Sequence, residues 1–223
     1  MTSTTPGEHP AVIVYDLDGV ITTRDSFTAL IVEQLRRAPL RLLRALPAAA
    51  TMLVSRRETR KRRAAARVAA IALTGMSDDY YTALATKFGT RIGGDPAWIR
   101  AETVERIRGQ NAQGVRVVIA TATEHRLARA LLARAGVPYD LLSASVLNET
   151  AAGMEVVDHR VGARKTDALR EQGVPIERVE FVTDSMTDLP TARAAAQVTL
   201  IGASQKTRER YAQAGVPITD PTP

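Results

Sequence analysis

Residues 11–19 read Ala-Val-Ile-Val-Tyr-Asp-Leu-Asp-Gly, an apolar run that stops at two carboxylates one residue apart, followed by a glycine. Val12, Ile13 and Val14 are β-branched and suit a strand buried on both faces of a parallel sheet. Asp16 and Asp18 then fall at its carboxyl end, where open α/β sheets place their ligands. Two like charges this close repel unless a cation or a proton relieves them. An Asp-x-Asp-Gly turn can simply end a strand. The chemical reading is a hard metal ion beside a phosphate, because Mg²⁺ is typically held by one or two carboxylates plus substrate oxygens.

The features that decide between these readings lie downstream. Residues 179–188 read Val-Glu-Phe-Val-Thr-Asp-Ser-Met-Thr-Asp, a second short apolar strand that runs into acid at Asp184, with Asp188 on the first turn of the helix beyond. Between the two acidic sites lie a strand ending in a hydroxyl (Val115 to Thr121) and a lysine opening a helix, Lys165 in Gly-Ala-Arg-Lys-Thr-Asp-Ala-Leu. A lone lysine is ordinarily a solvated surface group; only its place in this series singles it out. Taken in order, the four features resemble the haloacid dehalogenase superfamily, most of whose members are Mg²⁺-dependent phosphatases. The resemblance runs from about residue 11 to 219.

The organisation of the chain agrees with that resemblance. After a first strand at about 11–16, residues 25 to 109 read as helical almost throughout, with breaks at Pro39, Pro47, Gly75, Gly89 and Gly93-Gly94-Asp95-Pro96. From Gly114 onward strand and helix alternate: strand 115–121, helix 124–135, strand 140–145, helix 164–172, strand 178–183, helix 188–196, strand 197–201 and helix 204–214. Residues 146–162 read as a β-hairpin around Gly153. Such alternation predicts an α/β fold, a doubly wound parallel sheet with helices on both faces. The expected domains are a core of 11–24 and 110–219, an inserted helical cap of 25–109, and flexible tails at 1–10 and 220–223. An all-helical insert after the first strand resembles the helical-cap, phosphoserine-phosphatase-like subclass of the superfamily.

Composition narrows the function classes. The 223 residues suit one domain or a domain with an inserted module, and the absence of cysteine excludes disulfides and thiolate metal sites. Cysteine-free chains fit a reducing compartment. The polar first ten residues show no signal peptide, and no run of about 18 apolar residues suggests a spanning helix. A cytoplasmic protein is expected, with a peripheral position at the inner membrane face as a variant. His9, His125 and His159 are scattered, which argues against an imidazole-based metal site. The net charge of +6 is concentrated: residues 36–67 hold eleven basic side chains against one acid, Glu58, a local +10 that leaves −4 for the rest.

The resemblance implies roles for individual residues. Asp16 would be the nucleophile, and Asp18 the acid that protonates the leaving oxygen and then deprotonates water. Mg²⁺ would be held by the side chains of Asp16 and Asp184 and the backbone carbonyl of Asp18. Lys165 would add positive potential, with Asp188 behind it holding the lysine or a metal-bound water. Leu17, Thr121 and Ala122 would contact the phosphate. Thr123 is the alternative hydroxyl, although with Glu124 and Arg126 it also fits a helix N-cap. Two positions depart from common superfamily usage: Thr183 stands where glycine often precedes Asp-Ser, and Val20 where threonine is frequent. The dehalogenases lack the second acid, so Asp18 disfavours dehalogenation.

For the substrate, Asp25 lies nine residues after Asp16, where phosphoserine phosphatases carry a glutamate for the substrate amine, and Arg67 resembles their carboxylate-binding arginine. Asp25 equally suits the N-cap of the first cap helix. A second reading uses the basic insert. Leu43, Leu46, Ala50 and Leu53 fall at helical spacing between arginine clusters, a pattern suited to an anionic membrane surface and similar to phosphatidylglycerophosphate phosphatases of the same superfamily. Alternatively the leucines pack inside the cap and the arginines are only solvated. The partners expected are thus a small-molecule or lipid phosphate ester and, through residues 36–67, an anionic membrane. A phosphotransferase or mutase is a further alternative, since Asp16–Thr22 resembles β-phosphoglucomutases. A non-catalytic anion-binding module fits least. Aromatics are absent between Phe27 and Tyr80, so single-stranded nucleic acid would find no stacking platform.

Overall fold

The computed structural model describes residues 11–55 and 57–219; the expected tails at 1–10 and 220–223, and Arg56, lie outside the described residues. β1 (Val12–Tyr15) sits at the middle of a seven-stranded sheet. β2 (Arg116–Glu124) flanks it on one side and β5 (Glu180–Thr183) on the other, both parallel to it, with Tyr15 paired to Ile119 and to Val182. Beyond β2 come β3 (Leu141–Thr150) and β4 (Gly153–Asp158). Beyond β5 come β6 (Gln197–Leu200) and β7 (Ile218–Thr219). Every pairing is parallel except that of β3 with β4. Alternation along β1 sends Ile13 and Tyr15 into one core layer and Val14 into the other, as period-2 geometry requires of a strand buried on both faces. The doubly wound α/β expectation is met, and Asp16 follows β1 at the centre of the sheet's carboxyl edge.

Residues between β1 and β2 form α1 (Ser26–Arg37), α2 (Pro39–Val54), α3 (Glu58–Ala72), α4 (Asp78–Gly93) and α5 (Ala101–Ala112). The two ends of the helical insert meet at a bridge between Thr22 and Ile99, reinforced by Thr23 N donating to the Trp98 carbonyl at 2.8 Å and Arg100 N to that of Ile21 at 2.9 Å. The chain therefore returns to the sheet at 97–100. The boundary expected between 109 and 110 falls inside α5, and α5 lies on the core. Its Arg106 pairs with Glu180 at 2.8 Å, and the Tyr15 hydroxyl donates to Gln110 at 2.6 Å. The composition of α5 matches that of the helices before it, so only these long-range bonds separate them.

The second half follows with α6 (His125–Ala135), α7 (Ala163–Glu171), α8 (Leu189–Ala194) and α9 (Gln205–Gln213). β2 runs three residues further than expected, so Thr123 lies in the strand and is not a helix cap. Glu124 caps α6 instead, accepting from Arg126 N at 3.0 Å and Leu127 N at 3.1 Å. β3 continues past its pairing with β2 to pair antiparallel with β4, and this hairpin docks on the insert: Gly75 N donates to Ala152 O at 2.8 Å. β7, two residues long, has no signal in the sequence.

Candidate active site

Asp16, Asp18, Lys165, Asp184 and Asp188 converge at the carboxyl edge of β1 and β5. Asp16 N donates to the Val182 carbonyl at 2.9 Å, continuing the ladder one residue past the strand and fixing where its side chain starts. Asp16 Oδ1 accepts from Leu17 N at 2.8 Å and from Lys165 Nζ at 3.1 Å. Lys165, only 2% exposed, also donates to Asp188 Oδ2 at 2.9 Å and stands 2.8 Å from Oδ1. Thr183 donates its hydroxyl to Asp188 Oδ2 at 2.8 Å, so the residue that departs from glycine positions the acid behind the lysine.

Asp18 is held separately. Its Oδ2 accepts from the Thr123 hydroxyl at 2.6 Å; its Oδ1 accepts from Ser26 N at 2.9 Å and the Thr22 hydroxyl at 3.1 Å. Asp184 packs its carboxylate against Gly19: a Cβ there would stand 2.1 Å from Asp184 Oδ2, and the backbone φ of +83° independently favours glycine. Arg100 Nε donates to the Gly19 carbonyl at 3.0 Å, and the Tyr211 hydroxyl to that of Ser185 at 2.9 Å, bracing the two acidic loops from outside.

Crowding and burial shape the charges. Burial pushes the Asp16 carboxyl well above the usual range; Lys165 opposes this, while Asp188 and Asp18 add to it. Asp18 is pushed up to about 6 by burial first and Asp25 second, against its hydrogen bonds from Thr123 and Ser26. Asp184 is also pushed up to about 6, by burial and then by Asp188. Burial alone would lower Lys165, but Asp16 and Asp188 outweigh it and hold the ammonium charged.

The donor set suits a hard divalent cation. It is oxygen-only, with anionic charge in excess of the single buried lysine. Among the described residues no three acidic or imidazole side chains close into a cage of their own. Mg²⁺ sites that complete their octahedron with waters and substrate phosphate need no such cage.

The remaining expected residues are placed as follows. Thr121, fully buried, ends the core part of β2 beside the site, its hydroxyl accepting from Thr123 N at 3.0 Å; Ala122 lies between them. The Leu17 N–H is already taken by Asp16. Asp25 caps α1, accepting from Thr28 N at 2.6 Å, yet it is near enough to influence Asp18. Arg67 is a correction: it is exposed on α3, and among the described residues no hydrogen bond or ion pair ties it to the site. Five residues earlier on α3, Arg62 lies beside the loop that opens α7, where a Cβ on Gly162 would stand 3.2 Å from its guanidinium. Helical periodicity puts positions 62 and 67 on different faces. Thr22, Ser26, Arg100 and Tyr211 were not singled out in the sequence, since hydroxyls and arginines at turns carry no motif of their own.

A family model for haloacid dehalogenase-like hydrolases matches residues 13–193. The chain belongs to this family. No curated protein matches the sequence. Among solved structures, a Bordetella pertussis Tohama I protein of unknown function has a similar fold, at 18% identity and TM-score 0.70, covering 95% of this chain and 99% of that one. A phosphoserine phosphohydrolase-like protein of Francisella tularensis aligns at 13% identity and TM-score 0.63, over 96% of this chain and 95% of that one. A probable phosphoserine phosphatase from Vibrio cholerae aligns at 17% identity and TM-score 0.61 over 91% of this chain, which spans 59% of the Vibrio chain. At these identities the likeness is one of fold.

Proposed function

We propose that the protein is a Mg²⁺-dependent phosphomonoesterase acting through an aspartyl phosphate on Asp16. One observation carries the reading: two strand-end acids are held for different tasks. Asp16 is clamped at one oxygen by a backbone N–H and a buried lysine. Asp18 hangs from three donors that do not touch Asp16 and is pushed up to about 6, within reach of proton transfer near neutrality.

Asp16 attacks phosphorus and forms an acyl phosphate as the ester P–O bond breaks. Protonated Asp18 delivers its proton to the departing alkoxide. Asp18, now a carboxylate, takes a proton from water. That water attacks phosphorus, inorganic phosphate leaves and Asp16 is regenerated. The side chains of Asp16 and Asp184 and the Asp18 carbonyl would hold Mg²⁺, which when bound neutralises phosphoryl charge. Lys165, kept charged by Asp188, lowers the repulsion between Asp16 and an incoming dianion. Thr121 and Ala122 are assigned to the phosphoryl oxygens.

The substrate is a phosphate ester, free or lipid-borne, met in a cytoplasmic setting. The phosphoserine reading loses support from Arg67, which stays exposed, and from Asp25, which caps α1. Hydrolysis of p-nitrophenyl phosphate should require Mg²⁺, stop in EDTA, and disappear in Asp16→Asn while circular dichroism is unchanged. Turnover by Asp16→Asn near the wild-type rate would refute the nucleophile.

A further inference from the structure

The outer face of α2 has no counterpart in the catalytic reading. Its inner side is closed: Ala45 and Ala48 are buried, and Arg41 donates to the Ala72 carbonyl of α3 at 3.1 Å. Its outer side carries Leu43, Leu46, Leu53 and Val54, exposed by 61%, 52%, 87% and 82%. With Ala50 these residues line one continuous stripe of the helix. The leucines therefore do not pack inside the cap. In the sequence no acid occurs between Glu33 and Glu58; Arg36 and Arg44 are exposed in the same stretch, and exposed Arg57 and Arg60 lie beside Ala50 and Val54 of the stripe. Where α2 turns into α3, Ala50, Thr51, Val54, Ser55, Arg57 and Arg60 line an open groove of about 600 Å³, which brings apolar and cationic side chains together.

We propose that this face docks on an anionic lipid bilayer, with the leucines at the acyl boundary and the arginines among phosphate headgroups. The charge argues for lipid. A stripe without acids of its own, next to arginines, matches a surface that is anionic everywhere and needs no registered partners. Depth is limited as well. Pro47 leaves the helix one N–H short, an arrangement suited to the interface, and no helix among the described residues is long and apolar enough to cross a membrane. The groove supplies a seat for one headgroup phosphate between Arg57 and Arg60.

Co-sedimentation tests the proposal without using catalysis. Wild type should bind phosphatidylcholine vesicles containing phosphatidylglycerol, ignore pure phosphatidylcholine, and be released by high salt. Leu46→Asp/Leu53→Asp, both at exposed positions, should lower partitioning about tenfold or more while hydrolysing p-nitrophenyl phosphate as wild type does. Asp16→Asn should bind vesicles normally, so failure of docking and failure of the phosphatase reading are told apart. Three results overturn the proposal. The first is wild type that leaves anionic vesicles unbound at low salt. The second is a double leucine variant that binds as well as wild type, which reduces the effect to charge alone. The third is a wild-type dimer that the leucine variant disperses, with no vesicle binding, in which case a second copy of the chain covers the stripe.

Discussion

Asp18 accepts hydrogen bonds from Thr22, Ser26 and Thr123, which belong to the turn after β1, the start of α1 and the end of β2. Three separate segments thus aim one carboxyl. The 2.6 Å bond from Thr123 favours the charged form, and hydrogen bonds to charged groups contribute about 1.5–3 kcal/mol. Thr123→Val should lower kcat by about tenfold to a hundredfold, and Thr123→Ser, which keeps the hydroxyl, should recover most of it. Equal loss in both variants would mean that Thr123 matters only for packing. Lys165 poses a different problem, since its removal strands Asp16 and Asp188 as buried carboxylates. Lys165→Met should cost about 3 kcal/mol at about pH 7.5 and less at about pH 5, because Asp16, pushed up by burial, more readily takes up a proton in acid. Urea unfolding at the two pH values measures this, and a cost that does not shrink in acid would show that the lysine acts by packing. Asp16, Asp18, Lys165, Asp184 and Asp188 were all legible in the sequence because each sits at a strand end or helix start. The hydroxyls that aim them were not, because their partners lie up to 105 residues away.

At the scale of elements, the close seat of α4 on α6 depends on two glycines. A Cβ on Gly89 would stand 2.7 Å from the Leu127 carbonyl, and one on Gly93 only 2.4 Å from that of Leu131. Both neighbours are backbone and cannot rotate away. Gly93→Ala should therefore destabilise by about 1–3 kcal/mol, although alanine is the better helix former. Gly109, exposed on α5 with nothing within 4 Å of its Cβ position, supplies the opposite case. Gly109→Ala should stabilise by about 0.5–1 kcal/mol. Denaturant midpoints compare the two directly, and a stabilised Gly93→Ala would contradict the contact. The break expected at Gly93-Gly94-Asp95-Pro96 is where α4 ends, whereas Gly89, which in the sequence also looked like a helix break, lies inside α4. Local propensity penalises glycine there, and tertiary packing overrides it. The same limit explains the misplaced insert boundary, since α5 differs from α1 to α4 only in what it touches.

For the whole molecule, the alternation of strands and helices after Gly114 fixed the sheet in advance, because parallel strands require crossovers and buried strands need unbroken apolar runs. The hairpin expected around Gly153 is present as the paired ends of β3 and β4; β7 escaped, since it depends on a neighbour that pattern alone does not supply. The arrangement concentrates carboxylates at one edge, so stability should depend on pH and, if the proposed cation binds there, on metal as well. In metal-free protein Asp18 and Asp184 are pushed up to about 6, above their ordinary value of 3.8. Their protonation therefore stabilises the fold fully below the ordinary value, and this contribution is lost as pH rises through about 6. His125 and His159, held low mainly by burial, act in the opposite sense as pH falls, so an absolute melting temperature mixes the two effects. The difference between Mg²⁺ and EDTA isolates the site. A ligand at a hundred times its Kd adds about 2.7 kcal/mol, or roughly 5–10 °C for a chain of this size. That shift should appear at about pH 7.5 and shrink at about pH 5, where protons compete for the same oxygens. Asp184→Asn should remove most of it at both. A melting shift of equal size at the two pH values, or one that survives in Asp184→Asn, would place the cation away from these carboxylates.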